Sequence, residues 1–463
     1  MRIYNTLTKK IDDFIPYEEG KVKLYTCGPT VYHYAHIGNI RNYIGHDILD
    51  KTLRYLGYDV TRAMNITDVG HLTSDSDSGE DKMEVARKRE HKSAMEIAKF
   101  YTDAFFVDFE KVNCKRPEIV SPATDNIPEY IKIITKLLDD GYAYSSGGNI
   151  YFDISKLDNY YCLTNQDSNL VVGARESVDE DSNKRNQADF ALWFTTSKFE
   201  NHELLWDSPW GKGYPGWHIE CSGISLKYLG EHLDIHGGGV DNIFPHHTNE
   251  IAQSESYLGH KWCNYWFHNE HLIDESGKMS KSKGDILTVS VLEQKGYDPL
   301  AFRFMCLGSH YRKQLLFTYD NLEQAQNTLN KLRNKIRNLS NDGEFEKNLF
   351  DTYVSKFKEA LENDLNTANA LAVLYELLKD NEVNDSTKRK IVEDFDRVLS
   401  LDLIVEEEMQ EVDSDIQALI DQRAEAKKNK DFATADKIRD DLLARGIKLI
   451  DTREGTSYEF IKD

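Results

Sequence analysis

Val22-Lys23-Leu24-Tyr25-Thr26-Cys27-Gly28-Pro29, followed after a short loop by His36-Ile37-Gly38-Asn39-Ile40, is the stretch that decides the fold. The apolar run from Val22 to Thr26 reads as a strand and Gly28-Pro29 as a turn. Beyond them Ile40, Tyr43, Ile44, Ile48, Leu49, Leu53 and Leu56 recur at helical spacing. Gly57 closes that helix, and Tyr58 to Ile66 returns as a second strand, so the chain opens on a βαβ-like unit. A helix that starts at His36 to Asn39 offers unpaired N–H groups and the positive end of its dipole to a phosphate. Gly38 lets such a ligand approach the backbone closely.

Far downstream, Lys278-Met279-Ser280-Lys281-Ser282 lies between Gly277 and Gly284. Two lysines and two hydroxyls in a mobile loop suit a pyrophosphate leaving group, whose developing charge they would neutralise. Alone, either piece also fits a chance match or a solvated turn. Their order, their separation and the strand-to-helix setting of the first make the joint reading specific. Together they resemble the two signatures of class I aminoacyl-tRNA synthetases.

A second constellation involves sulfur and imidazole. Cys27 ends the first strand, Cys221 lies in Trp217-His218-Ile219-Glu220-Cys221, and Asp234-Ile235-His236-Gly237-Gly238-Gly239 leads to Phe244-Pro245-His246-His247-Thr248-Asn249-Glu250. His246 and Glu250 are spaced to share one face of a helix. Cys27, Cys221, His246 and Glu250 make a tetrahedral zinc set. The same residues equally fit two small buried hydrophobes and a core histidine, and no Cys-x-x-Cys decides between the readings.

Over essentially its whole length the chain resembles the cysteinyl-tRNA synthetase family. The matching stretches are Tyr25 to Tyr32, His36 to Asn39, Asn65-Ile66-Thr67-Asp68, Gly216 to Cys221, Asp234 to Asp241, Phe244 to Glu250, the lysine loop, and a tail with Asp431-Phe432-Ala433 and Asp451-Thr452. The resemblance implies that Cys27, Cys221, His246 and Glu250 bind one Zn2+, which receives the thiolate of the substrate L-cysteine. It implies two steps: L-cysteine and ATP, with Mg2+, give an adenylate and pyrophosphate, and the amino acid then passes to the 3′ end of tRNA(Cys). It places His36, Asn39, Lys278 and Lys281 in catalysis. It also places Gly38, Gly238 and Asp241 around ATP with His36, Asn39 and Lys281, and Thr67, Trp217 and His236 around the amino acid. The zinc makes chemical sense. Shape discriminates poorly between cysteine and serine, whereas a soft thiolate is a far better ligand than a hydroxyl.

Composition bounds the partners. The chain has 463 residues and 40% hydrophobic content, enough for several domains with real cores. No apolar run reaches transmembrane length and Met1-Arg2-Ile3-Tyr4-Asn5 does not open a signal segment, so a soluble cytoplasmic protein with no membrane partner is expected. Six cysteines do not suggest a disulfide scaffold, and Cys114, Cys162, Cys263 and Cys306 read as packing residues. A net charge of −22 argues against nucleic acid unless local basic surface overcomes it. Candidates are Lys331, Arg333, Lys335 and Arg337, and Lys427, Lys428, Lys430, Lys437 and Arg439. By composition each cluster also fits a solvated helix face.

The expected class is α/β: a doubly wound, Rossmann-like catalytic domain with a connective insertion, then an α-helical bundle and a small mixed α/β C-terminal domain, in a monomer. By residue these are 1–113 and 206–258 for the two catalytic halves, 114–205 for the insertion, 259–320 for the lysine loop and stem contact, 321–404 for the bundle, and 405–463 for anticodon binding. Residues 82–113 read as one helix, Ser74 to Asp81 as a polar loop, and the tail as two helices and a strand at Ile447 to Asp451. Val69-Gly70-His71-Leu72 departs from the family pattern, as do Thr248 and Tyr458. A ligase passing cysteine to a small amine sugar would share the metal and nucleotide motifs but lack the C-terminal domain.

Overall fold

The computed structural model describes residues 1–69, 82–164, 181–195, 203–275, 277–278, 286–404, 414–429, 431–445, 447–452 and 455–460. The chain divides into two units, Met1–Leu403 and Ile404–Asp463.

At the centre of the first unit lies a five-stranded, wholly parallel sheet: β1 (Lys21–Thr26), β2 (Asp59–Ile66), β3 (Ile119–Pro122), β4 (Leu233–Gly239) and β5 (Cys263–Asn269). Its spatial order is β5-β4-β1-β2-β3. This is the doubly wound order, and the direction of winding reverses between β1 and β4, where such sheets open a crevice beyond their carboxyl ends. Helix α1 (Ile37–Tyr55) follows β1. Its Ile40, Tyr43, Ile44, Ile48, Leu49 and Leu53 are buried as their spacing demands, and so are His46, Asp47 and Asp50 on its other side. Helices α2 (Trp217–Leu229) and α3 (Thr248–Leu258) flank β4 in sequence. Every residue of β4 is buried, including Asp234 and His236, as suits an inner strand covered on both faces.

The insertion between β3 and α2 holds a helix, Ile127–Asp139, and a four-stranded antiparallel sheet from Ala143–Ser146, Asn149–Phe152, Phe190–Phe194 and Tyr214–Pro215. Its core, with Tyr130, Ile134, Phe152 and Trp193, extends onto Ile219 of α2. Helices at Pro299–Leu307, Tyr319–Arg337, Lys347–Glu362, Thr367–Lys379 and Asp385–Leu399 complete the unit. Phe357 stacks on Phe395 at 4.0 Å and meets Tyr55 of α1 edge-on at 5.7 Å, so the helical layer leans directly on α1. Arg303 joins the same elements from inside. Fully buried, it donates to Asp47 on α1 at 2.7 Å, to the Leu399 carbonyl at 2.6 Å and to the Val112 carbonyl at 2.9 Å.

Three local expectations need correction. Residues 82–113 form two helices, Lys82–Glu90 and Ala94–Lys111, broken at His91, whose φ is +55°. The second restarts on a capping box between Ser93 and Glu96. In the second unit, helices Ser414–Lys428 and Phe432–Ala444 pack around Ile420, Ile438, Leu442 and Ile447, but the terminal strand is one arm of a hairpin, Ile447–Thr452 with Gly455–Phe460. Arg333 is no surface cation: it binds Asp298 at 2.6 Å and the Leu401 carbonyl at 2.6 Å. Of the four other cysteines, Cys114, Cys263 and Cys306 are buried and Cys162 is half-buried.

Candidate active site and metal centre

The site is assembled beyond the carboxyl ends of β1, β2 and β4. Gly28 has to be a glycine there, because a Cβ would sit 1.7 Å from the Asn65 carbonyl oxygen where β1 and β2 run out together. Cys27 leaves β1 at the reversal point, with its N–H on the Gly237 carbonyl of β4 at 3.0 Å. Cys221 comes from the second turn of α2, His246 from the tight turn before α3, and Glu250 from the first turn of α3. All four are buried, and their ligand atoms lie within 4.8 Å of one another.

His246 Nε2 lies 3.4 Å from Cys221 Sγ and 3.1 Å from Glu250 Oε1. A tetrahedron with metal–ligand bonds of about 2.0–2.3 Å has edges of about 3.3–3.8 Å; the 3.4 Å spacing falls in that range and the 3.1 Å spacing just below it, close to what one central ion needs. Among the described residues no hydrogen-bond donor is aimed at Glu250 Oε1, despite the nearby imidazole, and a buried carboxylate oxygen so placed is suited to a cation. On the far side of the ring, His246 Nδ1 meets His218 Nδ1 at 2.9 Å, a contact that holds Nε2 toward Cys221 and Glu250. Trp217 stacks on the His246 ring at 4.4 Å.

The protein environment by itself resists charge here. Burial raises the Cys27 thiol, raises Cys221 well above its ordinary value, and holds the Glu250 carboxyl at about 8, with His246 only partly offsetting it. Burial likewise drives His236 down to about 3 and His247 well below its usual range. A divalent ion reverses this preference for the thiolates and the carboxylate.

Three further histidines, without a spacing signature, stand beside the cluster. His247 Nε2 lies 3.2 Å from Cys27 Sγ, and its Nδ1 lies 2.8 Å from His268 Nε2; His218 backs His246. A second possible quartet, Cys27, His236, His247 and Glu250, therefore overlaps the first. In it His236 Nε2 is already hydrogen-bonded to Glu250 Oε2 at 2.8 Å, and only one sulfur remains. Thr67, one residue past β2, is buried and donates to Glu220 Oε2 at 3.0 Å.

At the start of α1, His36 is the N-cap. Its Nδ1 accepts from the Asn39 N–H at 3.2 Å, and Asn39 Oδ1 accepts from the His36 N–H at 3.2 Å. A Cβ on residue 38 would lie 2.8 Å from the folded-back His36 ring, which accounts for Gly38. The Ile37 N–H bonds the Leu287 carbonyl at 2.9 Å, tying the cap to the segment that follows the lysine loop. Lys278 lies in a two-residue strand, Gly277–Lys278, paired with Leu272–Asp274. Lys281 lies outside the described residues, as do Gly70 to Leu72, Ser74 to Asp81 and Glu406 to Glu411. Gly238 closes β4 against His247, and Asp241 stands exposed just beyond, with its Oδ1 4.0 Å from His271 Nδ1.

Comparison with known proteins bears on this arrangement directly. The family model for the class I (C) tRNA synthetase catalytic domain matches residues 13–327, a DALR domain matches 356–400, and the cysteinyl-tRNA ligase anticodon binding domain matches 409–455. The cysteine–tRNA ligase of Treponema denticola is 46% identical over 99% of both chains, and that of Borreliella burgdorferi 43% over 99% of both. The chain belongs to the cysteine–tRNA ligase family. Its activity is that of an aminoacyl-tRNA synthetase, joining cysteine to tRNA. Among solved structures, methionyl-tRNA synthetase of Mycobacterium tuberculosis bound by methionyl-adenylate aligns with a TM-score of 0.55 at 14% identity, covering 82% of this chain and 90% of that one. A ternary complex of Agrobacterium radiobacter K84 agnB2 LeuRS aligns at 0.55 and 12%, covering 84% of each chain. Both likenesses concern the fold. Among the described residues no helix is long and apolar enough to cross a membrane.

Proposed function

We propose that this cysteine–tRNA ligase selects its amino acid through one zinc ion held by Cys27, Cys221, His246 and Glu250. The observation that carries the reading is the convergence of these four buried donors where the sheet reverses, with one carboxylate oxygen left without a donor. The first quartet is preferred to the second because it offers two thiolates and an imidazole already oriented from behind by His218. When bound, the ion would take the substrate sulfur as thiolate and refuse the hydroxyl of serine.

The chain's own groups then divide the work. Trp217, Thr67 and His236 line the amino-acid pocket. His36, Gly38 and Asn39 form a helix start for the phosphates of ATP, which arrives with Mg2+. Gly238 and Asp241 border the nucleotide at the end of β4. Lys278 and Lys281 neutralise the departing pyrophosphate. No covalent enzyme intermediate is needed, since alignment and charge stabilisation suffice for in-line attack at phosphorus.

In this reading residues 1–113 and 206–258 are the catalytic halves, 114–205 the connective insertion, 259–320 the lysine-loop and stem-contact region, 321–404 the bundle, and 405–463 the reader of the tRNA(Cys) anticodon. The protein works as a cytoplasmic monomer. The anticodon-domain match favours tRNA over a small amine sugar as acceptor. Zinc analysis of the purified protein should give about one ion per chain by this ligand count. Cys221→Ser should lose zinc together with cysteine-dependent ATP–pyrophosphate exchange. Active protein free of zinc would overturn the metal assignment, and exchange without charging of tRNA would overturn the acceptor.

A further inference from the structure

A directed chain of hydrogen bonds links Gly28, just past β1, to Glu220 on α2. The Gly28 N–H, which can only donate, meets Asn65 Oδ1 at 2.8 Å. That contact fixes the amide, so Asn65 Nδ2 must face Thr67 Oγ1, at 2.9 Å, and donate to it. The Thr67 hydroxyl in turn gives its single proton to Glu220 Oε2 at 3.0 Å. Thr67 and Glu220 are both buried. With its proton committed and one lone pair taken by Asn65, the Thr67 oxygen keeps one lone pair and can only accept. Glu220 stands three residues after Trp217 and one before Cys221, so one turn of α2 presents all three.

We infer that Glu220 is a positioning residue for the substrate's α-ammonium group: it polarises the Thr67 hydroxyl into an acceptor and supplies a buried negative charge behind it. The inference rests on the assignment of Thr67 to the amino-acid pocket. It gives the pocket a second criterion, independent of sulfur. A ligand must bring a cationic N–H donor at one end as well as a thiol at the other. A carboxylate turned toward Thr67 would meet two acceptors and be rejected.

The test compares two thiols on the full-length protein: L-cysteine, and 3-mercaptopropionate, which has the thiol and carboxylate but no ammonium. Glu220→Gln and Thr67→Val should each raise the KM for cysteine about tenfold or more, the scale of one lost charge-assisted hydrogen bond, while kcat for pyrophosphate exchange changes far less. Inhibition by 3-mercaptopropionate and zinc content should stay at wild-type levels. Thr67→Ser, which keeps the hydroxyl, should bind cysteine about as the wild type does, and the double variant should lose less than the product of the two single losses. If Glu220→Gln does not fold, Glu220→Asp, which keeps the charge but draws the carboxylate back from Thr67, should raise the cysteine KM in the same direction by less. Should Thr67→Val leave the cysteine KM unchanged, the pocket assignment itself fails. Should Thr67→Val act while Glu220→Gln does not, the assignment stands and the role of Glu220 is refuted. Equal loss of both thiols, or loss of zinc, in the Glu220 variant would reduce it to a structural part and overturn the inference.

Discussion

Replacing Arg303 by Met puts a number on what holds the helical layer to α1. The guanidinium makes three short bonds, to Asp47, the Leu399 carbonyl and the Val112 carbonyl, with no exposure to water. Removing one partner of a buried ion pair costs about 3–5 kcal/mol, because the other charge is stranded. Asp47 would not be wholly stranded. Burial by itself would raise its carboxyl, but Arg303 and Lys51 together with the Lys115 N–H outweigh it and hold the pKa below the usual value. Lys51 Nζ at 2.9 Å and the Lys115 N–H at 2.7 Å would remain after the substitution. The expected loss therefore falls near the lower end, about 3 kcal/mol, a large part of the roughly 5–15 kcal/mol that a folded domain has. Urea unfolding followed by both circular dichroism and fluorescence should show the midpoint falling for the transition of the first unit. Asp47→Asn should behave similarly, and the double variant should be less destabilised than the sum, with a coupling of about 1–3 kcal/mol. A single-variant loss under about 1 kcal/mol, or strict additivity, would refute the reasoning.

Other expectations are more directly functional. His36→Ala should slow pyrophosphate exchange by about 100-fold or more while cysteine affinity holds, since in the proposed reading the group acts on charge that develops in the transition state; lost affinity at an unchanged rate would contradict this. Removal of residues 404–463 should spare exchange but weaken the apparent affinity for tRNA in charging, and binding of tRNA by the intact chain should fall as salt rises. A truncated protein that charged equally well would exclude that role. Asp68 is held at about 6 by burial, against the acceptor bonds it takes from Thr124. A carboxyl with a folded pKa above its unfolded one favours the fold below about pH 4, and that contribution is lost as pH rises through about 6. Asp68→Asn should therefore gain on wild type by up to roughly 3 kcal/mol between pH 4 and 7. Parallel stability curves for the two proteins would disprove it.

The strand, turn and helix around Cys27 and His36 were legible because period, turn residues and cap all point the same way. The His246 and Glu250 spacing was also legible, but their meeting with Cys27 depends on β4 lying beside β1, which no local pattern encodes. His218 and His247 were hidden for a related reason: a buried neutral imidazole looks like any core residue until its neighbours are known. Arg333 misled because a cation on an amphipathic helix reads the same whether it faces water or a carbonyl. The break at His91 was readable from Ser93 and Glu96, a capping signature inside a stretch whose overall composition favours one helix. The last strand was missed because Thr456, Tyr458 and Phe460 alternate over too few residues to stand out.

The cap on α1 also decides where a proton sits. A backbone N–H cannot accept, so the Nδ1 that receives the Asn39 N–H must carry its lone pair, and a neutral His36 ring has its hydrogen on Nε2. The helix thus selects one tautomer, and with it a ring that donates through Nε2 without being charged. Adding a second proton would set two donors face to face at the first turn and open the cap. A contact between this ring and a phosphate oxygen would therefore need no imidazolium.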